Sequence, residues 1–137
     1  MAPRPIAPIR RALIGARARV PASKSVTNRE LVLSAIASGR SRLDVGALDP
    51  GDDVATIAAA IAALGHEVRW RGPSIEVVPR SAPSDRATID AREAGTVARF
   101  ATALAALSSG ETRIDGSARM RERPMSALIG TLRELGA

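Results

Sequence analysis

Leu31-Val32-Leu33-Ser34-Ala35-Ile36-Ala37-Ser38-Gly39-Arg40-Ser41-Arg42-Leu43-Asp44 returns 71 positions later as Thr102-Ala103-Leu104-Ala105-Ala106-Leu107-Ser108-Ser109-Gly110-Glu111-Thr112-Arg113-Ile114-Asp115. Each stretch carries aliphatic residues at helical spacing, meets a glycine, and continues into a short run that alternates charged and apolar side chains, as a half-buried strand does. The same shift aligns residues 24–66 with 95–137 without a gap, and ten of the 43 pairs are identical. Abundant alanine inflates such matches. The pairs Gly39/Gly110, Arg42/Arg113, Asp44/Asp115 and Leu64-Gly65/Leu135-Gly136 are not alanine, and they identify an internal duplication.

In the first copy the spacing predicts a helix over Val26–Ser38, with Leu31, Leu33, Ala35 and Ile36 inward and Gly39 as its terminating glycine. A strand follows over Arg42–Val45. The next helix opens with Asp49 as N-cap and Pro50 at the first helical position, runs through Val54, Ile57, Ile61 and Leu64, and ends at Gly65. A hairpin then pairs His66–Trp70 with Ser74–Val78 around Arg71-Gly72-Pro73. In the second copy Thr88–Ala91 is a strand, Gly95–Leu107 a helix, Glu111–Asp115 a strand and Pro124–Leu135 a helix. The sequence stops at Gly136-Ala137, where the first copy enters its hairpin. A unit without those strands exposes a sheet edge, so the chain is expected to be a piece of something longer. The class is α+β. Residues 1–20 read as an N-terminal strand or hinge segment, with Arg11 to Val20 as a surface strand; 21–80 form the first unit, 81–86 the linker and 87–137 an incomplete second unit.

The chain has 137 residues, 45% of them hydrophobic, which suits one modest domain. A net charge of +6 and a pI near 11.4 call for acidic partners. One Trp, one Phe and no Tyr leave little to stack on bases. Small acidic substrates are therefore preferred; a basic nucleic-acid-binding module and a non-catalytic binder of phosphorylated metabolites are the competing readings. The absence of Cys and the single His66 exclude disulfides, thiolate metal sites, His clusters and a Ser-His relay within this chain. No run approaches the roughly 20 apolar residues of a membrane span. The basic first 29 residues lack the apolar core of a targeting segment, so a cytoplasmic protein is expected.

Lys24 is the one lysine beside nineteen arginines. Its compact ammonium can sit among several anionic oxygens, where a planar guanidinium fork cannot. The duplication sets Lys24-Ser25 and Gly95-Thr96 at equivalent helix starts, which offer unpaired N–H groups and a partial positive charge. Ser25 and Arg29 share a helical face, and Arg99 lies four beyond Gly95, where a missing side chain lets an anion near the backbone. Arg119, Arg121 and Arg123 alternate before Pro124 and would converge if the segment is extended. Against each stands a plainer role: Ser25 as a simple N-cap, the arginines as solvated side chains. Asp52 and Asp53 suit the first turn of a helix.

Pro21-Ala22-Ser23-Lys24-Ser25-Val26-Thr27-Asn28-Arg29, Asp52-Asp53-Val54, Ala94-Gly95-Thr96 with Arg99, and Met120-Arg121-Glu122-Arg123-Pro124 together resemble the N-terminal part of the 5-enolpyruvylshikimate-3-phosphate synthase family. The related enolpyruvyl transferases acting on UDP-N-acetylglucosamine have Lys-Asn at Lys24-Ser25. The resemblance implies two domains of three βαβαββ units each, this chain being about two of the six. It also implies enolpyruvyl transfer from phosphoenolpyruvate to the 5-hydroxyl of shikimate 3-phosphate, with no cofactor or metal. By the same resemblance Lys24 contacts both substrates as the catalytic cation, Ser25 and Arg29 hold shikimate 3-phosphate, Gly95 and Arg123 hold phosphoenolpyruvate, and Thr96 and Arg99 support the pocket. Ala22 replaces a usual glycine, and Glu93 stands where asparagine is usual, which puts a substrate contact from that position in doubt. The general acid and base, with the rest of the enzyme, belong to family regions outside this sequence, so the chain alone is expected not to turn over substrate.

Overall fold

A computed structural model describes residues 20–46, 49–80 and 84–137. The surface strand expected over Arg11 to Val20 lies outside these but for Val20, as do residues 81–83 of the linker expected over 81–86, whose last residue, Arg86, instead opens a strand.

The elements in order are α1 (Lys24–Ala35), β1 (Ser41–Asp44), α2 (Asp52–Ala63), β2 (Glu67–Arg71), β3 (Ser74–Val78), β4 (Arg86–Asp90), α3 (Gly95–Ala105), β5 (Glu111–Asp115), α4 (Ala118–Arg121) and α5 (Ser126–Glu134). The 71-residue shift therefore carries α1 onto α3, β1 onto β5 and α2 onto α5. β1, β3 and β2 form an antiparallel sheet in that order, with Leu43 opposite Ile75 and Val77 opposite Val68. Glycine at the first position of the two-residue turn, Gly72 with φ 57°, closes the hairpin. β4 and β5 pair in parallel, Ile89 beside Ile114, and α3 makes the crossover that parallel strands need.

α1 buries Thr27, Asn28, Leu31, Ser34 and Ala35, a single stripe at helical spacing. Leu33 and Ile36 are exposed, contrary to the expected inward set, because they lie off that stripe. The helix also ends at Ala35, well before Gly39, whose φ is not positive. α2 begins at Asp52, not at Pro50. Gly51 has φ 90°, which no helix tolerates, and Asp49 caps the loop instead by accepting a hydrogen bond from Gly51 N at 2.8 Å. At the other end the expectation holds: Gly65, at φ 98°, donates to the Ala62 carbonyl while His66 N donates to Ile61, the double bond of a Schellman turn. Leu135-Gly136-Ala137 repeats it, with bonds to Arg133 and Leu132.

The core comprises Leu31, Val54, Ile57, Ile61, Ile75, Val77, Ile89, Val97 and Ala101, drawn from both halves. Two sets of contacts orient its helices. At the amino ends, Lys24 Nζ lies 3.0 Å from Asp53 Oδ2, and the Arg29 guanidinium lies 5.9 Å from the centre of the Phe100 ring, each one turn into its helix. At the carboxyl ends, Ala35–Ser38, Leu64, Leu104, Leu107 and Ser108 border one open cavity of about 590 Å³. α1, α2 and α3 therefore run in one direction, with their starts at the same end of the molecule.

Candidate anion site at the helix starts

Lys24 is the first residue of α1 and Asp53 the second of α2, so their ion pair bridges two helix starts. Ser25 and Arg29 are exposed on α1, and Arg29 Nη1 donates to the Ser25 carbonyl at 2.7 Å. That bond and the Phe100 ring beneath it hold the guanidinium between α1 and α3, since a cation over an aromatic face is attracted by its quadrupole.

On α3, Gly95 is buried and Thr96 exposed. A Cβ on Gly95 would stand 2.6 Å from Nη1 and 3.0 Å from Cδ of Arg123, and 3.1 Å from Nη1 of Arg99. The missing side chain is thus the space into which Arg123 folds. Arg99 donates from Nη1 to the Gly95 carbonyl and from Nη2 to the Pro124 carbonyl, both at 3.2 Å, tying the first turn of α3 to the loop that carries Arg123. Lys24, Arg29, Arg99 and Arg123 gather around the starts of parallel helices whose free N–H groups add partial positive charge. Such an arrangement would attract a small polyanion.

The three alternating arginines do not converge. Ala118–Arg121 is a helical turn, capped by Ser117 Oγ, which accepts from Met120 N at 3.2 Å, and Met120 points into the core. A helical turn splays alternate residues apart. Arg119 is left exposed, and Arg121 turns to Asp115, bonding both carboxylate oxygens at 2.8 and 3.0 Å. With the Gly116 N–H, Arg121 holds the Asp115 carboxyl down at about 2, so the pair persists in acid until pH falls through that value. Glu93 is exposed and forms no ion pair with Arg92 or Arg123 among the described residues. Its neighbour Arg92 has φ 51°, a left-handed turn that Asp90 supports by accepting from Arg92 N at 2.8 Å. Among the described residues no three His, Asp or Glu side chains stand together as metal ligands would.

Two neighbours of the candidate site were not legible in the sequence. Asp53 looked like a helix-start carboxylate and is also the partner of Lys24. Phe100 stood in the sequence only as the single phenylalanine; it aligns with Arg29 under the 71-residue shift, and the meeting of equivalent positions of paired repeats was the available signal.

The family model for EPSP synthase (3-phosphoshikimate 1-carboxyvinyltransferase) matches residues 9–137. The chain belongs to the EPSP synthase family. Among curated 3-phosphoshikimate 1-carboxyvinyltransferases, that of Thermococcus kodakarensis is 44% identical over 117 residues, covering 85% of this chain and 28% of the relative. That of Mycobacterium ulcerans is 41% identical over 137 residues, covering 98% and 31%. The solved EPSP synthase of Acinetobacter baumannii superposes with a TM-score of 0.70 at 23% identity, over 86% of this chain and 27% of that one, a likeness of fold. The chain thus spans under a third of the length of these EPSP synthases. No described helix is long and apolar enough to cross a membrane.

Proposed function

We propose that this chain carries part of the substrate site for enolpyruvyl transfer from phosphoenolpyruvate to the 5-hydroxyl of shikimate 3-phosphate, a reaction leading toward chorismate and the aromatic amino acids in the cytoplasm. The gathering of Lys24, Arg29 and the Gly95–Arg123 contact at one end of parallel helices supports it most directly. In this reading Ser25 and Arg29 hold the shikimate 3-phosphate. The Gly95 backbone and Arg123 hold phosphoenolpyruvate, with Thr96 and Arg99 as supports. The 5-hydroxyl gives up its proton to a base as its oxygen bonds to the enol carbon, and the methylene gains a proton from an acid. The tetrahedral adduct then expels phosphate from the former enol carbon and loses a proton from the adjacent methyl, which restores the double bond. Lys24, reaching both substrates, stabilises charge moving toward the departing phosphate. Much of the catalysis is holding two anions within reach of each other, which needs fixed cations. The proton donor and acceptor belong to the remainder of the enzyme, which this chain needs as a partner; nucleic acid and membrane are not partners in this reading.

Calorimetry with each substrate tests the assignment. Lys24→Ala is expected to remove measurable binding of shikimate 3-phosphate. Arg123→Ala is expected to weaken phosphoenolpyruvate binding about ten- to hundredfold, the worth of a hydrogen bond to a charged group. Folded variants that bind as the parent does would sink the site.

A further inference from the structure

We infer that Asp53 is a positioning residue for Lys24: it aims the ammonium at the anion site and so promotes, rather than opposes, the binding of a negatively charged substrate. The inference rests on the proposed substrate site and adds to it a residue with no assigned part.

Lys24 lies one turn before Asn28, which is 1% exposed and sits on the stripe α1 turns to the core. The lysine stem therefore leaves α1 toward α2, where Asp53 meets it at 3.0 Å. The lysine side chain is 58% exposed and that of Asp53 30%, and exposed pairs add little to stability. α1 and α2 are already joined by a buried core that includes Leu31, Val54 and Ile57, so the pair is not needed to dock them. What the pair does supply is direction. A lysine stem has four rotatable carbons and samples many rotamers unless its end is held. An ammonium has three donors; one given to Asp53 leaves two for oxygens of a ligand. The carboxylate is itself well placed, in the first turn of α2 beside free N–H groups. A carboxylate beside an anion site would ordinarily repel the ligand. The two effects have opposite signs, which makes them separable.

The sole lysine of the chain permits the test: labelling lysine with ¹⁵N at Nζ yields one ammonium signal, that of Lys24. Phosphoenolpyruvate is titrated into the parent, Asp53→Asn and Asp53→Glu, with the Gly95 amide followed as a second reporter. In the parent both signals are expected to move with one midpoint. Asp53→Asn is expected to weaken binding about fivefold, the upper worth of an exposed ion pair, and to leave the Lys24 signal nearly still while Gly95 still titrates. Asp53→Glu, which keeps the charge, is expected to recover the Lys24 response. Unchanged or tighter binding in Asp53→Asn, as loss of a repelling charge would produce, overturns the inference. Silence of the Gly95 amide in the parent overturns the proposed substrate site first, and the positioning role with it.

Discussion

α2 and α5 hold equivalent places in the two halves, yet α2 buries six residues and α5 none. Their sequences do not explain the contrast, since Ile57 aligns with Leu128 and Ile61 with Leu132. The difference is what covers them. α1, α3, β2 and β4 all pack on α2, whereas among the described residues α5 has its main contact with α3 alone, and Ile129 and Leu135 stay exposed. A helix with an apolar face becomes core only where a second layer meets it. Both halves carry the code for a layered unit, and one displays it completed.

The sharpest way to break this comparison is to truncate the same position twice. Ile61→Ala should cost about 2–5 kcal/mol, because Ile61 is fully buried and its neighbours cannot collapse into the cavity. Leu132→Ala, at the equivalent but half-exposed position, should cost less than about 1 kcal/mol, as surface substitutions do. Chemical denaturation of both variants measures the gap, and equal costs would show that α5 is covered after all.

The contact between halves at the helix starts can be sharpened with Arg29→Ala, Phe100→Leu and their combination. The Arg29–Phe100 coupling should be about 0.5–1 kcal/mol, the worth of an exposed cation over a ring, and additive single effects would dissolve it.

The smallest effect concerns His66, just past the carboxyl end of α2. Burial pushes the His66 imidazole below its ordinary value, and its Nδ1 accepts from Arg80 N at 3.3 Å, a bond that only the unprotonated nitrogen can accept. The unfolded chain then binds the proton more readily than the folded one, so stability is complete above the ordinary pKa near 6.5 and declines as pH falls toward the lower folded value. Position 137, the counterpart of His66, is alanine. His66→Gln should therefore flatten the dependence of the denaturation midpoint between pH 7.5 and 5.5, values straddling that ordinary pKa. A slope that survives the substitution would assign it elsewhere.

How much of this could be read in advance divides along physical lines. Gly65 and Gly136 were legible as helix ends because a Schellman turn asks for a residue at positive φ, a demand local to a few positions. The α2 stripe of Val54, Ile57 and Ile61 was legible because its period repeats without interruption. Leu33 and Ile36 misled because aliphatic residues fill much of α1, and only the neighbouring layers decide which of them turn inward. The Arg119–Arg123 run misled because an alternating pattern says nothing of conformation when a serine cap is available at Ser117. At the site, the helix starts were read from local rules, but the Lys24–Asp53 pair joins residues on separate helices and needed the packing to be seen.

Gly39 and Gly110 are the same residue at the same place in each copy, and their surroundings are opposite. A side chain on Gly39 would project into open space, whereas the first carbon of one on Gly110 would stand 2.5 Å from the Asp85 carbonyl oxygen, where β4 and β5 begin. The two glycines therefore stand under unequal steric constraint among the described residues: a methyl at one meets nothing, while a methyl at the other would wedge apart a pair of strands.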